Sequence, residues 1–132
     1  MPLIAQDTFR FSHLVKFELF PEKAYCRTVA VANEAAAKVY AVGTVLGKVT
    51  ATGKYKIAVQ TAVDGSQTPA ALVLDDYSVA AATDTKVLTL TRGPSGISKA
   101  ALVLDASFDN QTKRDAAYAS IEALGIQVLE AV

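Results

Sequence analysis

Several short stretches of this chain alternate apolar and polar residues one by one, and turn residues separate them. In Val15-Lys16-Phe17-Glu18-Leu19 the three apolar side chains share a face. Tyr55, Ile57 and Val59 alternate with Lys54, Lys56 and Ala58, and residues 86–91 alternate again with Leu88 and Leu90 on one side. A period of two is the period of an extended strand. Residues 24–32 are also β-prone, with Val29 and Val31 sharing a face, and residues 39–50 read as a strand interrupted at Gly43 and Gly47. The Thr52-Gly53 turn then predicts a hairpin of about 44–50 with 54–60. The pattern predicts a small, mainly β domain.

The remaining segments fit between these strands. Asn33 to Lys38 is Ala-rich and predicts one helical turn. Val63-Asp64-Gly65-Ser66 is a turn, and Arg92-Gly93-Pro94-Ser95-Gly96 is a loop. The string Ala-Ala-Leu-Val-Leu-Asp occurs at 70–75 and again at 100–105; it is too simple for a solenoid repeat and reads as two buried segments. One amphipathic helix closes the chain. Thr112 and Asp115 form a capping-box pattern, and Ala117, Tyr118, Ile121 and Leu124 make one apolar stripe. Gly125 is placed to end the helix, and Ile126 and Val128 begin a last strand.

Composition narrows the function. The 132 residues suffice for one domain, and 52% are hydrophobic. Aromatics are only 8% and Trp is absent, so the core must be built from many small side chains. Thirteen basic and 13 acidic residues cancel, and the only short basic cluster, Lys113-Arg114, adjoins Asp115. That argues against nucleic acid, which demands clustered Lys and Arg. Near-zero net charge also leaves little repulsion to oppose self-association. The single Cys allows no intramolecular disulfide. No basic-then-apolar leader opens the chain and no apolar run approaches ~20 residues. The expectation is a protein of a reducing cytoplasm or of a particle assembled there, with no membrane partner. Asn110-Gln111-Thr112 fits a glycosylation pattern that carries no meaning without a secretory signal.

The N-terminal part stands apart. Four of the five Phe lie within residues 9–20, and Pro21 follows. We divide the chain into an extended arm or strand segment, 1–30, and a β-rich domain, 31–132. Residues 2–20 could be a mobile arm that pairs with a partner's sheet edge. Alternatively, residues 15–19 are a strand of the core.

A search for chemistry finds little. His13 is the only histidine and has no nucleophile or second ligand nearby in sequence. Cys26 sits in a strand-like run, where a plain half-buried thiol is expected. Gly47-Lys48 resembles the end of a P-loop, but Gly43 is one residue too close and Val49 replaces the Ser or Thr that would hold magnesium. Asp64 and Asp75-Asp76 lack the ligand density of a calcium loop. The 92–96 loop could form an anion nest but reads better as a surface loop or a subunit contact, through Arg92 and Pro94. No catalytic, metal or cofactor site is expected.

The order of segments carries a resemblance. Val-Gly-Thr-Val-Leu-Gly-Lys-Val-Thr-Ala-Thr-Gly-Lys-Tyr at 42–55 leads to Asp64-Gly65-Ser66-Gln67 and the run 70–74. Leu-Thr-Leu-Thr-Arg-Gly-Pro at 88–94, the helix and Leu124-Gly125-Ile126 follow. Over roughly residues 40–130 this series resembles the head decoration proteins of tailed phages, the lambda-type protein D family. The resemblance implies a β-clip-like domain with a short C-terminal helix, no enzymatic activity and no cofactor. It implies homotrimers that bind the major capsid protein at three-fold and quasi-three-fold sites on the outer surface of the expanded capsid and stabilise the shell. In that family an N-terminal arm orders on the capsid. Phe9, Phe11, Val15, Phe17 and Leu19 are the candidate capsid-binding residues here, on physical grounds alone. The competing functions are another virion or appendage module, such as a baseplate, tail or sugar-binding adhesin domain, and a small enzyme. The absence of Trp disfavours the sugar-binding version, and the lone His and Cys disfavour the enzyme.

Overall fold

The computed structural model describes residues 14–19 and 26–130. Among these residues ten strands and one α-helix of more than one turn follow in order: β1 Val15–Glu18, β2 Arg27–Ala32, β3 Lys38–Tyr40, β4 Val45–Lys48, β5 Tyr55–Ile57, β6 Pro69–Val73, β7 Tyr77–Val79, β8 Thr85–Leu90, β9 Ser95–Ser98, α1 Gln111–Glu122 and β10 Ile126–Leu129. The chain is a mainly β domain with one short C-terminal helix.

Five strands close into a barrel in the order β2-β5-β4-β6-β8. The expected hairpin is its β4–β5 pair, antiparallel with Leu46 opposite Ile57 and Lys48 opposite Tyr55. β2 runs antiparallel to β8 from Arg27↔Leu90 to Ala32↔Thr85 and meets β5 in parallel at Ala32↔Tyr55. So narrow a barrel has room for few large side chains. Its interior holds Ala30, Ala32, Ala71, Val73, Val79, Val87 and Leu46 around one large residue, Tyr40. This explains the facing of β2: the small Ala30 and Ala32 point inward, and Val29 and Val31 share the outer face, with Val29 60% exposed.

Tyr40 brings a hydroxyl into this interior, and Glu34 answers it. The Tyr40 hydroxyl donates to the buried Glu34 carboxylate, which also accepts from the Ile57 amide at 2.8 Å. Burial, and then the Glu34 hydrogen bond and charge, hold the Tyr40 phenol far above its ordinary pKa.

A second core lies outside the barrel. Leu14, Val15, Cys26, Val45, Leu72, Leu90, Ile97, Phe108, Ala117, Ile121 and Ile126 belong to it. Over it run α1 and the sheet β1-β9-β10, in which β9 pairs antiparallel with β1 and parallel with β10. β3 and β7 form a separate antiparallel ribbon. The domain boundary drawn at residue 30 falls inside β2.

Three local expectations are corrected. Residues 33–38 form no helical turn: Glu34 makes a parallel bridge to Ala81, and Lys38 opens β3. The carboxylate that reaches Tyr40 decides this segment against its helix propensity. The run 100–104 is not a buried strand like 70–74. Its Ala101 ends a short 3-10 turn, Lys99–Ala101, and Val103 is 41% exposed. The helix starts earlier than Thr112, because Asn110 accepts the Lys113 amide at 2.9 Å and is the cap.

Candidate interaction surfaces

The candidate residues of the N-terminal segment divide at residue 14. Phe9, Phe11 and His13 lie outside the described residues. Leu14 and Val15 are in the second core, with Leu14 fully buried. Val15 pairs with Ile97, Phe17 with Gly96 and Glu18 with Ser95, with a bulge between Val15 and Phe17. Leu19 is half-buried, and its amide donates to the Pro94 carbonyl at 2.9 Å.

Glu18 fixes the far end of β1. Its side chain is 4% exposed and receives a forked hydrogen bond from Arg27, with Nε at 3.1 Å from Oε1 and 3.0 Å from Oε2 and a further contact from Nη2. Guanidinium and carboxylate match in this planar geometry, and it compensates a buried charge far better than a single contact would. Cys26, fully buried, follows the same path: its sulfur lies 3.8 Å from the Leu19 carbonyl and 3.6 Å from that of Pro94. Among the described residues it therefore meets two acceptors and no general base.

The 92–96 loop is tied into the fold at both ends. Ser95 and Gly96 already belong to β9, a strand that the Gly-Pro-Ser-Gly composition conceals. Gly93 donates to the Leu124 carbonyl at 3.1 Å. A Cβ on Gly93 would stand 1.8 Å from the carbonyl oxygen of Gly125, itself at φ +88 where the helix ends, so loop and helix terminus touch backbone to backbone. Arg92 and Pro94 remain exposed at its tip. The structure thus brings together β1, Arg92 and Pro94, which the sequence offered as two unrelated candidates.

Elsewhere the surface is polar and balanced. Lys56 pairs with Asp64 at 2.8 Å, Lys54 with Asp84 at 3.0 Å, Lys99 with Glu130 at 2.7 Å and Lys113 with Asp109 at 3.0 Å. The Lys56 hydrogen bond, and then that of Ser66, hold Asp64 well below the usual carboxylate range. Among the described residues Val63 at 95% and Val39 at 76% are the most exposed large apolar side chains. No His/Cys/Asp/Glu group suited to a metal ion occurs among the described residues. Among the described residues no helix is long and apolar enough to cross a membrane.

A charge-balanced β domain with a well-anchored terminal strand fits an assembly component. Comparison with protein-family models gives a match to the bacteriophage lambda head decoration protein D family over residues 12–126. The chain belongs to that family. The match begins at residue 12 and so takes in β1 and β2 as well as the segments from 40 onward that carried the resemblance. Head decoration proteins are structural components that bind the phage capsid, and this places the chain on the surface of a virion. No curated protein matches the chain.

Proposed function

We propose that this head decoration protein binds the major capsid protein on the outside of a tailed-phage head and stabilises the shell. It does so as a homotrimer of β-clip-like domains on three-fold sites, without nucleic acid, and assembles in the host cytoplasm. The family match over residues 12–126 carries this reading. The physical support is a surface without net charge and a phenylalanine-bearing segment directly before β1. In this reading Phe9 and Phe11 contact the capsid, and Val15 and Leu19 anchor the segment to the domain. An extended segment that adds to a sheet edge draws affinity from main-chain hydrogen bonds and specificity from alternate side chains. Three copies in a trimer convert weak single contacts into strong binding.

The test is to add purified protein to expanded heads that lack it and to measure occupancy by sedimentation and electron microscopy. Saturable binding at three-fold sites and a raised disruption temperature of the heads are expected. Heads that remain bare at saturating protein would refute the proposal. Light scattering on the free protein tests the oligomer: a stable dimer or tetramer counts against a trimer.

A further inference from the structure

The barrel seam between β2 and β5 is held by one parallel bridge, Ala32↔Tyr55, and by the Asn33 amide on the Tyr55 carbonyl at 2.9 Å. Past that point Glu34 bridges Ala81 instead, and its side chain takes over the seam: Oε2 receives both the Tyr40 hydroxyl and the Ile57 amide. Oε1 receives nothing among the described residues. Glu34 is only 5% exposed, yet no buried side-chain oxygen or nitrogen among the described residues lacks a partner, so Oε1 must reach solvent. It opens on a groove of about 240 Å³ whose lining includes Glu34, Lys38, Lys56, Ile57, Val59 and Asp105.

Two more oxygens belong to this groove. Asp105 brings a carboxylate whose Oδ2 accepts the Ser107 amide at 3.0 Å and whose Oδ1 has no donor among the described residues. The Ile57 carbonyl is the other: a strand residue turns its amide and carbonyl to the same side, and the Ile57 amide points at Glu34. Lys56 is engaged by Asp64 at 2.8 Å, and Lys38 is exposed without an ion pair among the described residues. Two carboxylates with no cation of their own therefore face one uncommitted ammonium. The half-buried Ile57 and Val59 add an apolar wall.

We propose that this groove binds a primary ammonium on an unbranched aliphatic stem, its head on Glu34 Oε1, Asp105 and the Ile57 carbonyl and its stem along Ile57 and Val59. A nearly buried carboxylate oxygen is costly to leave without a donor. An ammonium carries three N–H donors and no acceptor, which matches three oxygens, and an aliphatic stem buries well on an apolar wall while its head stays polar. Two sources carry that chemistry: a free alkylamine, and the lysine side chain of a protein on which the domain docks. The second source rests on the capsid reading above.

Titration of the free protein with n-butylammonium chloride, followed by amide NMR shifts, tests the site without any capsid. Saturable shifts clustered at Glu34, Ile57, Val59 and Asp105 are expected, with a Kd on the order of 1 mM for so small a ligand. Butyltrimethylammonium keeps the charge and the stem but has no N–H, and should bind at least ~tenfold more weakly. Glu34→Gln should weaken n-butylammonium ~tenfold or more, and Asp105→Asn about two- to fivefold. Should Glu34→Gln fail to fold, Asp105→Asn and the pair of probes decide, since neither disturbs the seam. Equal shifts from the trimethyl compound or from sodium chloride, or an affinity unchanged in both variants, would overturn the proposal. Head binding then separates the sources. Occupancy lost in excess n-butylammonium, but not in its trimethyl analogue, assigns the groove to a lysine of the shell, and full occupancy assigns it to a free amine. Heads that stay bare without any amine refute the capsid reading and leave the NMR result standing.

Discussion

Glu18 is nearly covered and Arg27 is the group that compensates its charge. Removing one member of such a pair strands the other, and a fully buried pair loses ~3–5 kcal/mol that way. Arg27 is 24% exposed, so solvent takes up part of the loss. Arg27→Ala should cost about 2–3 kcal/mol, while Glu18→Gln/Arg27→Met together should cost less than Arg27→Ala alone. Urea unfolding of the two variants decides this, and a double variant that loses as much as Arg27→Ala or more would show that the pair does not couple. Gly47 is constrained by space. A Cβ there would lie 1.9 Å from the Ser66 carbonyl oxygen, backbone against backbone, with no flexible side chain to yield. Gly47→Ala should destabilise by ~3 kcal/mol, at the upper end of overpacking costs, and a thermal melt within error of the parent would contradict the geometry. Cys26→Ser keeps a donor near the Leu19 and Pro94 carbonyls. It and His13→Ala should leave head decoration intact, and loss of binding by a folded variant would reveal an unsuspected site.

At the scale of elements, the sequence shows what has a local cause. The β4–β5 hairpin is written in a turn dipeptide and a period of two, and α1 in an apolar stripe ended by Gly125. β9 is hidden because Ser95 and Gly96 read as loop, and its strand character comes from β1 and β10 on either side. β3 and β7 have three residues each, too few to show a period. Barrel closure and the parallel β9–β10 contact pair segments far apart in the chain, which no local pattern encodes. The candidate surface was legible in part: aromatic residues marked the N-terminal segment, but the burial of Leu14 and Val15 in the second core is tertiary. That burial gives a prediction. Removing residues 2–13 should keep Leu14 and Val15 in place and abolish head binding. Removing 2–19 also takes away Leu14 and Val15, each worth ~1.5–3 kcal/mol when buried, and strands Arg27. The longer truncation should therefore be destabilised by at least ~4 kcal/mol. Equal melts for the two truncations would make β1 dispensable, and wild-type occupancy by the shorter one would remove residues 2–13 from the capsid contact.

For the whole molecule, ionisation sets the range of stability. Asp64, Asp84, Asp109 and Glu130 are all held below their ordinary values, chiefly by hydrogen bonds from Lys56, Asn33, Lys113 and Lys99 respectively. A depressed carboxyl contributes stability above its unfolded pKa and loses it as pH falls through the folded one. The acid limb therefore lies below pH ~4. These pairs are exposed, so the limb is shallow and salt weakens them further. Tyr40 acts at the other end. Its phenol is raised by burial and by Glu34, so its contribution is complete below the unfolded value and is lost as pH rises through and beyond ~10. Lys99, raised by its Glu130 bond, adds to the same limb. Tyr40→Phe removes the group that must stay neutral inside the barrel. It should lower stability at pH 7 by ~1–3 kcal/mol, because the buried Glu34 carboxylate loses a donor. Above pH ~10 it should flatten the alkaline loss, leaving the part due to Lys99. Urea midpoints between pH 7 and 11 measure both effects. A variant whose midpoint falls as steeply with alkali as the parent's would show that ionisation of Tyr40 does not govern the opening of the barrel.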